Sequence, residues 1–218
     1  MPAQPIGPIR NLTDFLAWEA QIDAAICGQP LDPEAETRLA QQGAHDPTPT
    51  PYYVLGELFA HYDLSERSHL LDVGCGGGRV LAHFVREGLP GKATGIELDP
   101  QLATQAQAWT ARYAQLQVIA GSVLDLDLSP YTDFYLFNPF DQGILQQFIE
   151  KVEVEVNHPC TLVHMSDNGD TWRYVGRPGW TELASGNFQK YQNGRGYPVE
   201  IYDWPQHYTA WRYEGSGA

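Results

Sequence analysis

Between residues 69 and 165 the apolar positions gather into short unbroken runs, each followed by a stretch with helical spacing. The runs predict strands at residues 69–73, 93–98, 117–120, 133–137 and 161–165, and the intervening stretches predict helices at 78–87, 100–114 and 142–151. Strands apolar on both faces suit a parallel sheet covered by helices on each side. Repeated βα units therefore predict an α/β fold with a doubly wound, mostly parallel sheet. The tail changes period. Residues 181–191 and 197–213 alternate polar with aromatic side chains around Asn193-Gly194-Arg195-Gly196, which predicts a C-terminal antiparallel hairpin. Ahead of the alternating core, Leu12, Phe15, Leu16, Trp18 and Ile22 recur at helical spacing, with Thr13 or Asp14 near the cap. A second short helix is expected over 33–42, and the prolines at 47, 49 and 51 predict a rigid linker. Thr50 as cap and Pro51 at the first position then predict a third helix carrying Tyr53, Val54, Leu58, Phe59 and Tyr62. The chain divides into an N-terminal helical extension, residues 1–50, and a main domain, residues 51–218.

The first predicted strand ends in Asp72-Val73-Gly74-Cys75-Gly76-Gly77-Gly78, and a helical pattern follows at once. Glycines there let the backbone approach a ligand and reach positive φ without a Cβ clash. The dinucleotide fingerprint requires a third small residue three places after its second glycine. That place falls on Arg79 or Leu81 here, so neither register fits. A carboxylate at Asp72 would repel a pyrophosphate and suits a positively charged ligand without phosphate. The stretch resembles motif I of the class I S-adenosylmethionine-dependent methyltransferases. Glu97 lies 25 positions after Asp72, near the spacing at which an acid from the second strand receives ribose hydroxyls. Asp99 is placed as a helix cap with Pro100 at the first helical position.

The resemblance implies S-adenosyl-L-methionine as cofactor and the class I methyltransferase type of sheet. It assigns Asp72 to the methionine end, Gly74, Cys75, Gly76 and Gly78 to close backbone approach, Glu97 to the ribose, and Ser122 and Val123 to the adenine, with Leu98 also among the cofactor-binding residues. Gly121-Ser122 is similar to the family's frequent Gly-Asp, with serine in place of the acid. Asn138-Pro139-Phe140 resembles the family's fourth motif, with one proline where nucleobase methylases often carry two. Asn138 and Phe140 are thereby expected to line the transfer site, with Asn138 as the catalytic candidate. Tyr53 is a further pocket candidate, because the segment ahead of motif I often covers the cofactor in such enzymes. Replacing Glu97 is expected to weaken the cofactor and spare the ligand-free fold.

Composition narrows the partners. The formal charge of −14 over 218 residues and the absence of a Lys/Arg cluster make nucleic acid a poor partner. Three widely spaced cysteines fit a reduced, cytoplasmic protein. No secretory pattern or membrane-length apolar run is read from the sequence. The seven histidines lack metal-ligand spacing, and no metal is assigned, although His164 near the end of the fifth predicted strand, and Asp167 and Asp141 after strands, could face the pocket. The expected activity is methyl transfer to a small-molecule acceptor. A protein side chain as acceptor, aminopropyl transfer and a non-catalytic cofactor-binding module are the other readings. Oligomeric state is left open.

Overall fold

The computed structural model describes residues 8–31, 37–167, 169–192 and 198–216. Five parallel strands form its centre: β1 (His69–Val73), β2 (Lys92–Glu97), β3 (Leu116–Ala120), β4 (Asp133–Phe137) and β5 (Cys160–Met165). All six residues of β5 are buried, and so are four of the five in β1 and in β4, which is why their sequences are apolar on both faces. Two antiparallel strands, β6 (Trp180–Phe188) and β9 (Gln206–Tyr213), complete a seven-stranded sheet in the order β3-β2-β1-β4-β5-β9-β6. The order reverses between β1 and β4, and ligands of open α/β sheets bind at such a switch point, outside the carboxyl ends of the strands.

The expected hairpin divides in two. β9 inserts between β5 and β6, whereas β7 (Lys190–Tyr191) and β8 (Val199–Glu200) form a separate antiparallel pair. Pro205 offers no N–H to a ladder, and β9 begins only after it. The predicted turn at 193–196 lies outside the described residues.

Helices cover both faces: α1 (Leu12–Cys27), α2 (Tyr52–Leu58), α3 (Arg79–Arg86), α4 (Pro100–Thr110) and α5 (Gln142–Glu155). α4 starts as its sequence predicts: Asp99 accepts from the N–H groups of Gln101 and Leu102, and Pro100 takes the first position. It stops four residues short of the expected end, and α5 runs four residues past its own. α1 is capped by Asn11, whose side chain accepts from the Asp14 N–H, and not by Thr13 or Asp14. Of the helix expected over 33–42, residues 32–36 lie outside the described residues; the part seen is a single 3-10 turn at Ala40–Gln42.

The start of α2 also differs from expectation. Pro51 flanks the helix with φ −56° and ψ 142°, and Tyr52 is its first residue. Thr50 does not cap it; its hydroxyl bonds the Tyr135 hydroxyl at 2.6 Å. The Tyr52 N–H instead donates to the Glu19 carboxylate of α1, at 3.0 and 3.2 Å. A carboxylate from another helix does the work of a cap there.

Candidate functional site

The chain leaves β1 through a turn that brings its backbone against the end of β4. Gly74 has φ 75°, and a Cβ there would sit 2.6 Å from the Pro139 Cβ. The Gly74 and Cys75 N–H groups both donate to the Ile96 carbonyl at the end of β2, at 2.9 and 3.0 Å. Gly78, with φ 92°, turns the chain into α3 in a left-handed conformation that glycine adopts without penalty. The Trp109 indole holds the turn from α4 by donating to the Gly77 carbonyl at 2.9 Å.

Two adjoining cavities open around this turn. One, of about 350 Å³, is lined by Asp72, Gly74, Cys75, Gly76, Arg79 and Tyr135, among others. The second, of about 260 Å³, is lined by Glu97, Leu98, Ser122, Val123 and Phe140 together with Pro139 and Ile144. Gly74, Leu102, Phe137, Pro47 and Thr48 border both. The cavities therefore form one elongated depression over the ends of β1, β2 and β4, crossed by the proline-rich linker. Of the residues singled out from the sequence, Gly78, Tyr53 and Asn138 line neither cavity. Gly78 instead faces the Trp109 ring, which a Cβ there would meet at 2.9 Å. Tyr53 packs edge-on against Tyr191 at 5.1 Å between ring centroids. Asn138 is half-buried with φ 40°, an uncommon conformation for a residue with a Cβ, and its carbonyl faces His45.

Two acids set the electrostatics. Asp72 is buried, and its Oδ2 has no hydrogen-bond partner among the described residues. Burial, with the Glu97 charge adding to it, pushes its carboxyl well above the usual carboxylate range. An unpaired buried carboxyl is costly unless a ligand completes it. Glu97 is also buried, and burial raises it, but both of its oxygens are already engaged. Oε2 accepts from the Gly76 N–H and Oε1 from the Asp99 N–H, each at 2.8 Å. Glu97 thus ties the glycine turn to the start of α4, a structural duty that the sequence reading did not assign. Each oxygen keeps a second lone pair for a ligand hydroxyl.

The N-terminal extension is joined to this site by charge. Arg79, the first residue of α3, is buried against α1: Nη2 meets the Asp23 carboxylate at 2.5 Å, Nε meets it at 3.2 Å, and Nη1 meets Glu19 at 3.2 Å. The Tyr52 hydroxyl and the Leu31 N–H also donate to Asp23, at 2.9 and 3.1 Å. Nothing in the sequence reading identified this cluster. Its signal was present, since Glu19 and Asp23 fall among Phe15, Ile22 and Cys27 on the buried stripe of α1. A charge inside an apolar stripe requires a buried partner.

His164, within β5, and Asp167, just beyond it, lie apart from the cavities. His164 bonds the Tyr174 hydroxyl at 3.1 Å, and Asp167 holds the His207 Nδ1 at 3.0 Å; none of these residues lines either cavity. Among the described residues no group of three or more His, Cys, Asp or Glu is arranged to hold a metal ion. No described helix is long and apolar enough to cross a membrane.

Residues 70–151 match the family described as "Methyltransferase domain". No curated protein matches the chain. Among solved structures, the fold is similar to an RNA methyltransferase from Salinibacter ruber in complex with S-adenosyl-L-homocysteine. That pair has a TM-score of 0.57 and 19% identity, over 77% of this chain and 94% of that one. A precorrin-6y C5,15-methyltransferase from Geobacter metallireducens has a TM-score of 0.60 at 14% identity, over 80% of this chain and 94% of that one. A putative methyltransferase from Escherichia coli has a TM-score of 0.55 at 17% identity, over 75% and 86% of the two chains.

Proposed function

We propose that the chain is a class I S-adenosylmethionine-dependent methyltransferase that methylates a small-molecule acceptor at the joined cavities over β1, β2 and β4. The observation that carries the site is the unpaired Oδ2 of Asp72, buried beside the glycine turn. The residues present fit the cofactor. An unsatisfied carboxyl suits its ammonium group, the backbone at Gly74 and Gly76 leaves room for close approach, and the Glu97 lone pairs suit the ribose hydroxyls. Leu98, Ser122, Val123 and Phe140 would enclose the adenine from the second cavity. When bound, the cofactor supplies a methyl group made electrophilic by its sulfonium.

The chain's own contribution is placement and exclusion of water. Asp72 stands at one end of the depression and Glu97 at the other, which fixes where the middle falls. Phe137, common to both cavities, is the apolar wall at that middle. Asn138 follows it, and its strained backbone at the strand end keeps it as the acceptor-side candidate. The small-molecule reading draws on charge. Among the described residues Arg79 is the one Lys or Arg lining either cavity, and it is engaged by Asp23 and Glu19. With a net charge of −14, little remains to hold a phosphate backbone.

Asp72→Asn tests the reading. It removes the charge and keeps the shape, so S-adenosylhomocysteine affinity should fall by about tenfold or more, the loss of one charge-assisted hydrogen bond. Ligand-free stability should hold or rise, because a desolvated carboxyl is gone. Binding to the wild type should also release a proton at acid pH: the ligand's ammonium favours the carboxylate, whereas the free site holds the proton. Calorimetry in buffers of different ionisation heat reads this release, and the variant should lack it. Unchanged affinity in Asp72→Asn would remove the acid from the site.

A further inference from the structure

The segment that crosses the cavities is fastened at one place. Ala44 forms an antiparallel bridge with Phe140, the His45 N–H donates to the Pro139 carbonyl at 3.1 Å, and the Asp141 N–H donates to the Gly43 carbonyl at 2.8 Å. The strap is thus stitched to the loop that leaves β4, and Pro47 and Thr48 beyond it border both cavities. The His45 ring closes the stitch. Its Nδ1 lies 2.8 Å from the Asn138 carbonyl oxygen and its Nε2 lies 3.1 Å from the Asp141 Oδ1. A carbonyl and a carboxylate only accept, so the ring makes both bonds only when both nitrogens carry protons. The neutral ring has one N–H and must give up one bond.

We propose that His45 is a proton-operated clasp: as the imidazolium it pins the 43–48 strap over the cofactor depression, and its deprotonation loosens the strap for cofactor exchange. The inference rests on the proposed cofactor site and adds its regulation. Asp141 faces the ring from the start of α5, and Asp46 adjoins it on the strap. Among the described residues no Lys or Arg lines the second cavity. Histidine is the side chain whose charge changes between about pH 5 and 8, which makes it the natural switch at this place. The ring is about one-third exposed, so a proton reaches it without unfolding.

Asp141→Asn provides the discriminating variant. Its amide can donate to Nε2 while Nδ1–H still donates to Asn138, so the neutral ring keeps both bonds. Release of S-adenosylhomocysteine from the wild-type protein should accelerate by about tenfold between about pH 5.5 and 8.5, the loss of one hydrogen bond to a charged group. Asp141→Asn should release slowly at every pH, and His45→Phe rapidly at every pH. Amide exchange in the ligand-free protein gives an independent reading. Protection of the His45 and Asp141 amides, corrected for intrinsic rates, should fall with rising pH in the wild type and stay level in Asp141→Asn. Protection that ignores pH in the wild type, or His45→Phe releasing ligand like the wild type, overturns the clasp. Failure of S-adenosylhomocysteine to bind at all, with pH-dependent protection intact, would instead refute the site and leave the clasp standing.

Discussion

Glu97 shows how a residue can be read correctly for position and incompletely for duty. Its place after β2 was legible from its distance to the glycine turn. Its bonds to the Gly76 and Asp99 N–H groups were not, because they depend on how the turn folds back onto β2. The expected effect of Glu97→Ala changes accordingly. Two buried N–H donors lose their acceptor, at about 1–3 kcal/mol each, so the ligand-free protein should lose several degrees in melting temperature along with cofactor affinity. Glu97→Gln, which keeps acceptor oxygen for one of them, should lose less; an unchanged melting temperature in Glu97→Ala would contradict the structural duty. Asn138 calls for a paired test, since its φ of 40° favours glycine over alanine. If its amide positions the acceptor, Asn138→Gly should keep stability and lower turnover, whereas Asn138→Ala should lower both. Equal turnover per folded molecule in Asn138→Gly would leave the residue a backbone role only.

At the scale of elements, the strands of the parallel core were legible because burial on both faces writes itself as an apolar run. The contacts that join α1 and the strap to that core were not. Asp23 meets Arg79 across 56 positions and His45 meets Asn138 across 93, and no local pattern carries a pairing of that range. The tail was half legible: its aromatic alternation announced antiparallel strands, but insertion of β9 between β5 and β6 is decided by the whole sheet. The α1–α3 joint has a measurable worth. Asp23→Ala leaves the Arg79 guanidinium with Glu19 alone and orphans the Tyr52 hydroxyl and the Leu31 N–H. Breaking a buried ion pair from one side costs about 3–5 kcal/mol, so denaturant unfolding should shift to markedly lower concentration. Asp23→Asn should lose less, and a shift under about 0.5 kcal/mol for the alanine variant would mean the joint does not hold the extension.

Across the whole molecule, the sheet order, the glycine turn at the switch point and the two acids converge on one depression at the carboxyl edge of the parallel strands. The net negative charge and the engaged Arg79 support the proposed reading of a cationic cofactor with a small-molecule acceptor. The same feature that excluded a dinucleotide from the sequence, Arg79 where a small residue is required, proves to be the anchor of the N-terminal extension. Cofactor identity is therefore the point on which everything else depends. The direct measurement is calorimetric titration of the protein with S-adenosylhomocysteine and, separately, with NADH at neutral pH. Saturable binding of S-adenosylhomocysteine to a single site, with no heat from NADH, is the expected result; saturable NADH binding with no response to S-adenosylhomocysteine would contradict it.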